Sequence, residues 1–329
     1  MEMANFKWGE ISSDAVSFSE AENSCSFLFQ NSQIEDGPFW HVCTPGTLTE
    51  ILNVTEEDYA FAVSNVAITA AEVGIKVVTF SVMEDHLHLL LQCIREKCFA
   101  FLKAYAYRQQ KYFERQGRFV DLRGLRCDDP IPITDLEMMR NEIAYINRNG
   151  FVSNRNFLPF SYPWSSSCVY FNPLAKLVHG EKYNQISFNE RRRLSCRRVV
   201  MMPDSYEILD GMILPASFVD VALGEGMFRN AHNYLDAITR NFEAYSESAK
   251  RFGDTNVIGR EEMYQVARML SLRDFNVKQP SLLPPEGKLQ VARILHGDYH
   301  ASNAQVRMIL KMSERQVSEL FPLKALTRR

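Results

Sequence analysis

The fold of this chain is decided by the stretch Ile75-Lys76-Val77-Val78-Thr79-Phe80-Ser81-Val82-Met83-Glu84-Asp85-His86-Leu87-His88-Leu89-Leu90-Leu91-Gln92-Cys93. Its first part is β-branched and aromatic and its last part is strongly apolar, which favours two strands. Glu84 and Asp85 form a short polar turn between them. The stretch therefore predicts an antiparallel hairpin with strands over residues 75–82 and 86–93.

Helix and strand signals on both sides of the hairpin complete the pattern. A strand is predicted over 39–43, followed by a helix capped by Thr55 that ends at Gly74. Further helices are predicted over about 97–116 and from the capping box Thr134-Asp135-Leu136-Glu137 to a stop at Gly150. The order strand, helix, hairpin, helix, helix predicts an α+β fold around a small antiparallel sheet.

Composition and charge divide the chain into four expected parts. Residues 1–36 are an acidic N-terminal extension, expected to be poorly ordered or loosely packed, and 37–172 form the α+β domain. Residues 173–204 are a basic linker, and 205–329 are a mostly helical C-terminal domain. The first 60 residues hold eleven acidic residues and one basic residue, so the net charge of -3 conceals a basic remainder. Such a remainder permits a polyanionic ligand.

Several classes of protein are excluded by composition. No apolar run is long enough for a transmembrane helix, and the first residues lack the basic and apolar parts of a secretory signal. The seven cysteines are irregularly spaced without a Cys-x-x-Cys pair, which disfavours a zinc ribbon or a redox dithiol. We therefore expect a cytoplasmic protein with reduced thiols and no membrane partner.

Two histidines of the second predicted strand share one face. Side chains at i and i+2 of a strand point the same way, so the imidazoles of His86 and His88 emerge together. A divalent cation could bind between them. The alternative is a pair of histidines buried in the sheet, and the spacing by itself leaves both open.

A second candidate pair lies on the helix predicted over 134–149. At about 100° per residue its apolar side chains form a single stripe, which consists of Leu136, Met139, Ile143 and Ile146. Tyr145 falls outside this stripe, on the polar face, and Asn149 follows one turn later. The phenol and the carboxamide could approach the same metal-bound phosphate. The alternative is an exposed tyrosine with an ordinary asparagine at the end of a helix.

Three ordered motifs resemble those of the bacterial HUH single-tyrosine transposases, in particular the branch of REP-associated tyrosine transposases. They are Met83-Glu84-Asp85-His86-Leu87-His88-Leu89-Leu90, Tyr145-Ile146-Asn147-Arg148-Asn149 and Tyr162-Pro163-Trp164-Ser165-Ser166. The strand Trp40-His41-Val42 also fits the opening strand of that family. The resemblance covers roughly residues 38–172 and is carried by the three motifs jointly.

The resemblance implies a ferredoxin-like antiparallel sheet with the histidines on a central strand and the tyrosine on a facing helix. His86, His88 and Asn149 would bind Mg²⁺ or Mn²⁺, and Tyr145 would be the nucleophile. The implied activity is cleavage and joining of single-stranded or hairpin DNA through a 5′-phosphotyrosine intermediate. A divalent ion polarises the phosphate, and a tyrosine that titrates at about pH 10 needs local activation.

The chain departs from the family pattern at three places. Glu84-Asp85 stands where Pro-Asn is usual, Gly150 stands where a proline commonly follows the helix asparagine, and Asp121–Arg126 preserves little of an aromatic, Gln-rich link. These departures leave the residues of the chemistry in place and affect the substrate preference. They are also compatible with a domesticated, non-mobile descendant.

Basic and aromatic residues around 103–126 are the candidate path for single-stranded DNA. Tyr105 and Tyr112 have helical spacing and are expected in the core. The predicted DNA contacts of this region are Lys103, Tyr107, Arg108, Lys111, Arg115, Arg118 and Arg123.

A helix-turn-helix-like unit is predicted at 288–322. Ser313-Glu314-Arg315-Gln316 is a capping box that opens its third helix, and Lys311 or a neighbour stands in the turn where glycine is usual. If the unit binds duplex DNA, Arg315 and Gln316 would face the major groove. The alternative is a simple three-helix packing module.

The leading hypothesis is therefore a DNA strand transferase, a monomer or homodimer associated with the bacterial nucleoid. One alternative is a domesticated DNA-binding protein or regulator that keeps the fold without cleavage. Another is a replication initiator that nicks DNA with the same chemistry, which the Trp164-Ser165-Ser166 region disfavours.

Overall fold

The computed structural model describes residues 18–44, 51–153, 157–158, 160–196, 199–239, 260–297, 299, 301 and 303–322. These residues form an α+β structure, as predicted, with the following helices and strands in chain order: α1 (Phe18–Asp36), β1 (Phe39–Cys43), α2 (Glu56–Val73), β2 (Lys76–Val82), β3 (Leu87–Gln92), α3 (Arg95–Arg115), β4 (Ile131–Ile133), α4 (Leu136–Ser153), β5 (Glu181–Lys182), α5 (Phe188–Ser195), β6 (Glu207–Leu209), β7 (Met212–Ile213), α6 (Val221–Gly226), α7 (Ala231–Thr239), α8 (Arg260–Phe275), α9 (Pro285–Gly297), α10 (Asn303–Leu310) and α11 (Glu314–Leu320). Within this part of the chain, no helix combines the length and apolar character needed to cross a membrane.

The larger sheet contains the predicted hairpin. Its strand order is β2-β3-β1-β4, and every pairing is antiparallel. Strands β2 and β3 are the hairpin strands, and β3 also pairs with β1. Helices α2 and α3 pack on each other, where the Asn65 side-chain amide donates a hydrogen bond to the Tyr105 carbonyl at 3.0 Å. The smaller sheet, β5-β6-β7, was not predicted.

Helix α2 begins and ends where the sequence predicts. The Thr55 hydroxyl accepts from the Asp58 amide, and the Asp58 carboxylate accepts from the Thr55 amide. Gly74 ends the helix with a φ of +67°, and its N–H donates to the Ala70 carbonyl. A left-handed residue at this position strongly favours glycine. Both signals are local, which explains why the sequence was sufficient.

Helix α4 differs from its prediction at both ends. Asp135 is the capping residue, because its carboxylate accepts from the Met138 amide at 2.8 Å; the box predicted from Thr134 does not form. The helix also continues past Gly150 to Ser153. A Cβ atom at Gly150 would lie 2.1 Å from the Tyr162 ring. Glycine is therefore required there by close packing and not by a helix stop.

The N-terminal region is more structured than expected over residues 18–36. These residues form α1, which buries Cys25 and Phe29. Glu22 of α1 pairs with Arg140 of α4 at 2.7 Å. Residues 1–17 of the expected extension lie outside the described residues.

The buried side chains divide the chain between Ile238 and Met263, not near residue 172. One hydrophobic cluster runs from Phe29 to Ile238, and a second from Met263 to Val317. The segment 173–204, expected to be a linker, contributes buried side chains such as Tyr183 to the first cluster. Residues 207–213, expected within a helical domain, instead supply β6 and β7. The basic charge of segment 173–204 suggested a linker, but the apolar residues between its basic residues decide how it packs.

The C-terminal region contains the three predicted helices as α9, α10 and α11. The turn between the last two holds Lys311 at a φ of +52°, the position where glycine was expected. Ser313 and Gln316 form the predicted capping box of α11. Arg307 of α10 pairs with Glu84, which connects this region to the turn between β2 and β3.

Candidate active site

The structure brings the predicted histidines together on one face of the larger sheet. Cys43 of β1 is paired with His88 of β3, so side chains of the two central strands meet there. His86 lies directly before β3, and its ring contacts that of His88 edge-on at a centroid distance of 4.9 Å and 82°. Both side chains are buried, at 7% and 0% exposure. The two imidazoles therefore lie side by side and are buried.

Tyr145 lies against His88 of this pair and against His41 of β1. Its ring is 5.3 Å from the His88 ring at 88°, an edge-to-face arrangement, and 6.0 Å from the ring of His41. Strands β1 and β3 and helix α4 therefore bring the Tyr145 phenol beside the imidazoles of His41 and His88, which are distant from it in sequence.

The prediction that Tyr145 lies on a polar, exposed face of its helix is wrong. Tyr145 is 5% exposed, and residues 142–147 of α4 are all buried. The helix is covered on more than one side, because Asn147 contacts Thr79 of the sheet at 2.7 Å and Tyr234 of α7 at 3.0 Å. A helical wheel assumes one buried stripe, which fails for a helix enclosed between a sheet and other helices.

Asp85 holds the ring of His86. The His86 Nδ1 atom lies 2.6 Å from Asp85 Oδ1. A carboxylate only accepts, so in the neutral ring the hydrogen is on Nδ1 and the lone pair is on Nε2. The second carboxylate oxygen, Oδ2, is buried and has no hydrogen-bond partner among the described residues. The departure Glu84-Asp85 thus has a structural explanation: Glu84 pairs with Arg307 and Asp85 orients His86.

Two further polar residues of the site were not predicted as site residues. His41 Nδ1 lies 2.8 Å from Glu142 Oε2, and His41 Nε2 lies 3.3 Å from His88 Nδ1. Both His41 and Glu142 are 1% exposed. The sequence carried a weak signal for each: His41 is in the motif-like strand Trp40-His41-Val42, and Glu142 is one turn before Tyr145.

The electrostatics of His88 favour its neutral form. Burial, followed by the neighbouring charges of His86 and His41, holds the pKa of His88 well below its ordinary value of 6.5. A neutral imidazole is the form that binds a metal ion. The His88 Nε2 atom faces the Cys43 sulfur at 3.9 Å.

The depressed pKa of His88 predicts a loss of stability in mild acid. Unfolding returns His88 to an ordinary pKa of about 6.5, so the unfolded state binds the extra proton. The folded state therefore keeps its full stability above a pH of about 6.5. Below that pH, the free energy of unfolding should fall by up to about 1.4 kcal/mol per pH unit. Urea unfolding with a chelator at pH 7, 6 and 5.5 measures this slope. His88→Gln should flatten it, and His232→Gln, an exposed control, should not; equal slopes in all three proteins would contradict the prediction.

Asn149 occupies the end of the same helical face. Glu142, Tyr145 and Asn149 are spaced by three and four residues, so they lie along one side of α4. The Asn149 side-chain nitrogen is buried without a hydrogen-bond partner among the described residues. Among the residues that the structure describes, no group of three or more His, Cys, Asp or Glu side chains is arranged to hold a metal ion. A site of two histidines and an amide would need phosphate or water oxygens to complete it.

The predicted DNA contacts have varied environments. The prediction that Arg108 contacts DNA is wrong. Arg108 is 1% exposed and its guanidinium binds Glu72 and Thr69 inside the fold, so it cannot contact DNA in this conformation. Arg118 is held by both carboxylate oxygens of Asp58 at 2.9 Å. Tyr105 and Tyr112 are buried, as predicted.

The remaining predicted contacts are at the surface. Lys103, Tyr107, Arg115 and Arg123 are exposed, and Arg123 pairs with Asp121. Lys111 pairs with Glu114 at 2.6 Å and lies over the Tyr107 ring. In α11, Arg315 is exposed and pairs with Glu319 at 2.8 Å, whereas the Gln316 side-chain oxygen accepts from Ser313 in the capping box.

Comparisons of the chain with protein-family models, with curated proteins and with solved structures give no match.

Proposed function

We propose that this protein is a metal-dependent DNA strand transferase of the HUH single-tyrosine class that acts on single-stranded or hairpin DNA. The observation that carries the proposal is the contact between the Tyr145 and His88 rings at 5.3 Å, beside His86. Tyr145 is 57 positions from His88 in the chain, and the fold brings the two rings into contact. A purely structural cluster has no need of this combination.

The arrangement of the sheet supports a ferredoxin-like core. The elements follow as β1, α2, β2, β3, α3, β4, and the strands lie in the order β2-β3-β1-β4. A β-α-β-β-α-β sequence with antiparallel neighbours is the ferredoxin-like arrangement. In this proposal His88 belongs to the central strand pair, His86 directly precedes β3, and Tyr145 belongs to the helix that follows β4.

The donor set fits Mg²⁺ or Mn²⁺ held by His86, His88 and Asn149. Asp85 accepts from His86 Nδ1, which leaves the lone pair of the neutral His86 ring on Nε2, and the Asp85 Oδ2 atom is buried without a partner among the described residues. Asn149 would bind the ion through its Oδ1 atom. A cation beside His86 would compensate the buried carboxylate. When bound, the ion would polarise the scissile phosphate. Nitrogen ligands suit Mn²⁺ better than Mg²⁺, which prefers oxygen.

The role of Tyr145 is nucleophilic attack. Its phenol would lose its proton and form a bond from oxygen to phosphorus while the bond from phosphorus to the 3′ oxygen breaks, and the departing oxygen would take up a proton, so that protons balance overall. The phosphotyrosine keeps the energy of the phosphodiester, so another 3′-hydroxyl can reverse the step without ATP. The 5′ polarity follows the family resemblance. Tyr145 is 5% exposed, so the proposal requires that elements covering it move when DNA enters.

The proposed DNA path uses the exposed residues of α3 and its following loop. Lys103, Tyr107, Lys111, Arg115 and Arg123 supply positive charge and an aromatic face, as single-stranded DNA requires. We propose that α9–α11 contact duplex DNA separately, through Arg315 and the amide nitrogen of Gln316. Such an enzyme would work on the bacterial nucleoid, as a monomer or homodimer.

A covalent adduct tests the proposal. The protein is incubated with Mn²⁺ and hairpin-bearing oligonucleotides labelled at either end, then resolved on a denaturing gel. We expect a protein–DNA adduct that retains the 3′ label, releases a fragment with a 3′-hydroxyl and disappears with a chelator. Absence of an adduct with every oligonucleotide that the protein binds would contradict cleavage.

The second candidate function is a domesticated DNA-binding protein without cleavage. The enclosed position of Tyr145 favours it, because a buried phenol cannot reach a phosphate without a conformational change. It predicts oligonucleotide binding without an adduct. Deletion of residues 286–329 tests the C-terminal contact in the same preparation, since unchanged affinity for duplex DNA would contradict that contact.

A further inference from the structure

A buried chain of three side chains connects α4 to the candidate metal ligand His88. Glu142 Oε2 lies 2.8 Å from His41 Nδ1, and His41 Nε2 lies 3.3 Å from His88 Nδ1. Glu142 and His41 are 1% exposed and His88 is 0% exposed. The order carboxylate, imidazole, imidazole has a direct consequence for where the hydrogens are.

The hydrogen positions follow from the carboxylate. An ionised carboxylate only accepts, so the hydrogen of neutral His41 is on Nδ1 and its lone pair is on Nε2. That lone pair accepts from His88 Nδ1, which places the remaining lone pair of His88 on Nε2. The other tautomer of His41, with its hydrogen on Nε2, would donate to His88 Nδ1, and the His88 hydrogen would then be on Nε2. Only the first state leaves His88 able to bind a cation through Nε2.

We propose that Glu142 and His41 are positioning residues that select the metal-binding tautomer of His88 and fix the orientation of its ring. The proposal rests on the proposed function, because it concerns the same metal site. It also assigns parallel roles to two carboxylates: Asp85 orients His86 directly, and Glu142 orients His88 through His41. Hydrogen-bond partners of metal ligands of this kind typically change metal affinity by about 10- to 100-fold.

Glu142 and Tyr145 both belong to helix α4. The two residues are separated by three positions and lie on one side of the helix. The same helix would thus supply the nucleophile and set the ligand state of the histidine that the nucleophile contacts. A shift of α4 would alter both together.

Binding of Mn²⁺ to the full chain without DNA tests the proposal. Affinity is measured by electron paramagnetic resonance titration, and electron spin echo modulation counts the bound imidazole nitrogens. We expect Glu142→Gln and His41→Phe to weaken Mn²⁺ binding by about 10- to 100-fold and to lose one nitrogen coupling. Glu142→Asp, which keeps the carboxylate, should restore part of the affinity.

The matched control is Thr79→Val, which removes a buried hydrogen bond to Asn147 at the same boundary between α4 and the sheet. It should lower stability without changing Mn²⁺ affinity or the nitrogen couplings. Wild-type affinity in Glu142→Gln, with both couplings retained, would overturn the positioning role and leave the proposed function intact. If the wild type binds no Mn²⁺ through imidazole nitrogen, the proposed metal site and this inference both fail.

Discussion

Replacement of Tyr145 by phenylalanine is expected to reduce the covalent protein–DNA adduct at least about 1000-fold, to the background of the assay. The phenyl ring has no oxygen with which to form a bond to phosphorus. The ring itself remains, so its contacts with His88 at 5.3 Å and His41 at 6.0 Å should persist. Oligonucleotide affinity and the unfolding transition should therefore stay close to those of the wild type.

Tyr183→Phe is the matched control for this substitution. Tyr183 is fully buried, and its hydroxyl has no hydrogen-bond partner among the described residues. The same atom is removed from a tyrosine that the proposed reaction does not use, so adduct formation should be unchanged. An adduct of wild-type yield in Tyr145→Phe would show that another side chain is the nucleophile.

Local signals were sufficient for much of the fold. Apolar runs on either side of Glu84-Asp85 predicted the hairpin, and the Thr55 cap and Gly74 stop fixed α2. The ends of α4 were predicted wrongly, because Asp135 competes with Thr134 as a cap and Gly150 serves the packing of Tyr162. The packing of Gly150 against Tyr162 is a tertiary contact, so the sequence of the helix alone could not predict it.

The site was predictable only where its residues share one element. The i, i+2 spacing of His86 and His88 predicted that their side chains meet, although His86 lies directly before β3 and only His88 is a strand residue. The pairing of His41 with Glu142 spans 101 positions and needs the relative placement of β1 and α4, which no local pattern supplies. The burial of Tyr145 depends likewise on what covers α4, including α7.

Arg108 was wrongly predicted to contact DNA because the prediction considered only its charge. It is one of several basic residues on an amphipathic helix, and its sequence neighbours do not distinguish a surface cation from a buried one. Its partner Glu72 belongs to α2, on the other side of the α2–α3 interface. The arginine therefore neutralises a carboxylate between helices and leaves the proposed DNA path to its exposed neighbours.

The ion pair between Glu72 and Arg108 predicts an asymmetric effect on stability. The Arg108 side chain is 1% exposed and that of Glu72 is 33% exposed. Glu72→Gln leaves a cation buried without its counter-charge, which should lower the free energy of unfolding by about 3 kcal/mol or more. Arg108→Met removes the buried charge and leaves a carboxylate that water can reach, so its cost should be smaller by at least about 1 kcal/mol.

Urea unfolding of the two variants measures this difference, with Glu114→Gln as the control. Glu114 also pairs with a cation, Lys111, but both side chains are well exposed, so its loss should leave the unfolding transition almost unchanged. If Glu72→Gln behaves like Glu114→Gln, the buried cation is compensated by something other than Glu72. Arg108→Met should also bind oligonucleotides as the wild type does, because a side chain enclosed between α2 and α3 has no route to a phosphate. A selective loss of DNA affinity in that variant would return Arg108 to the DNA path and would mean that α3 turns this face outward when DNA binds.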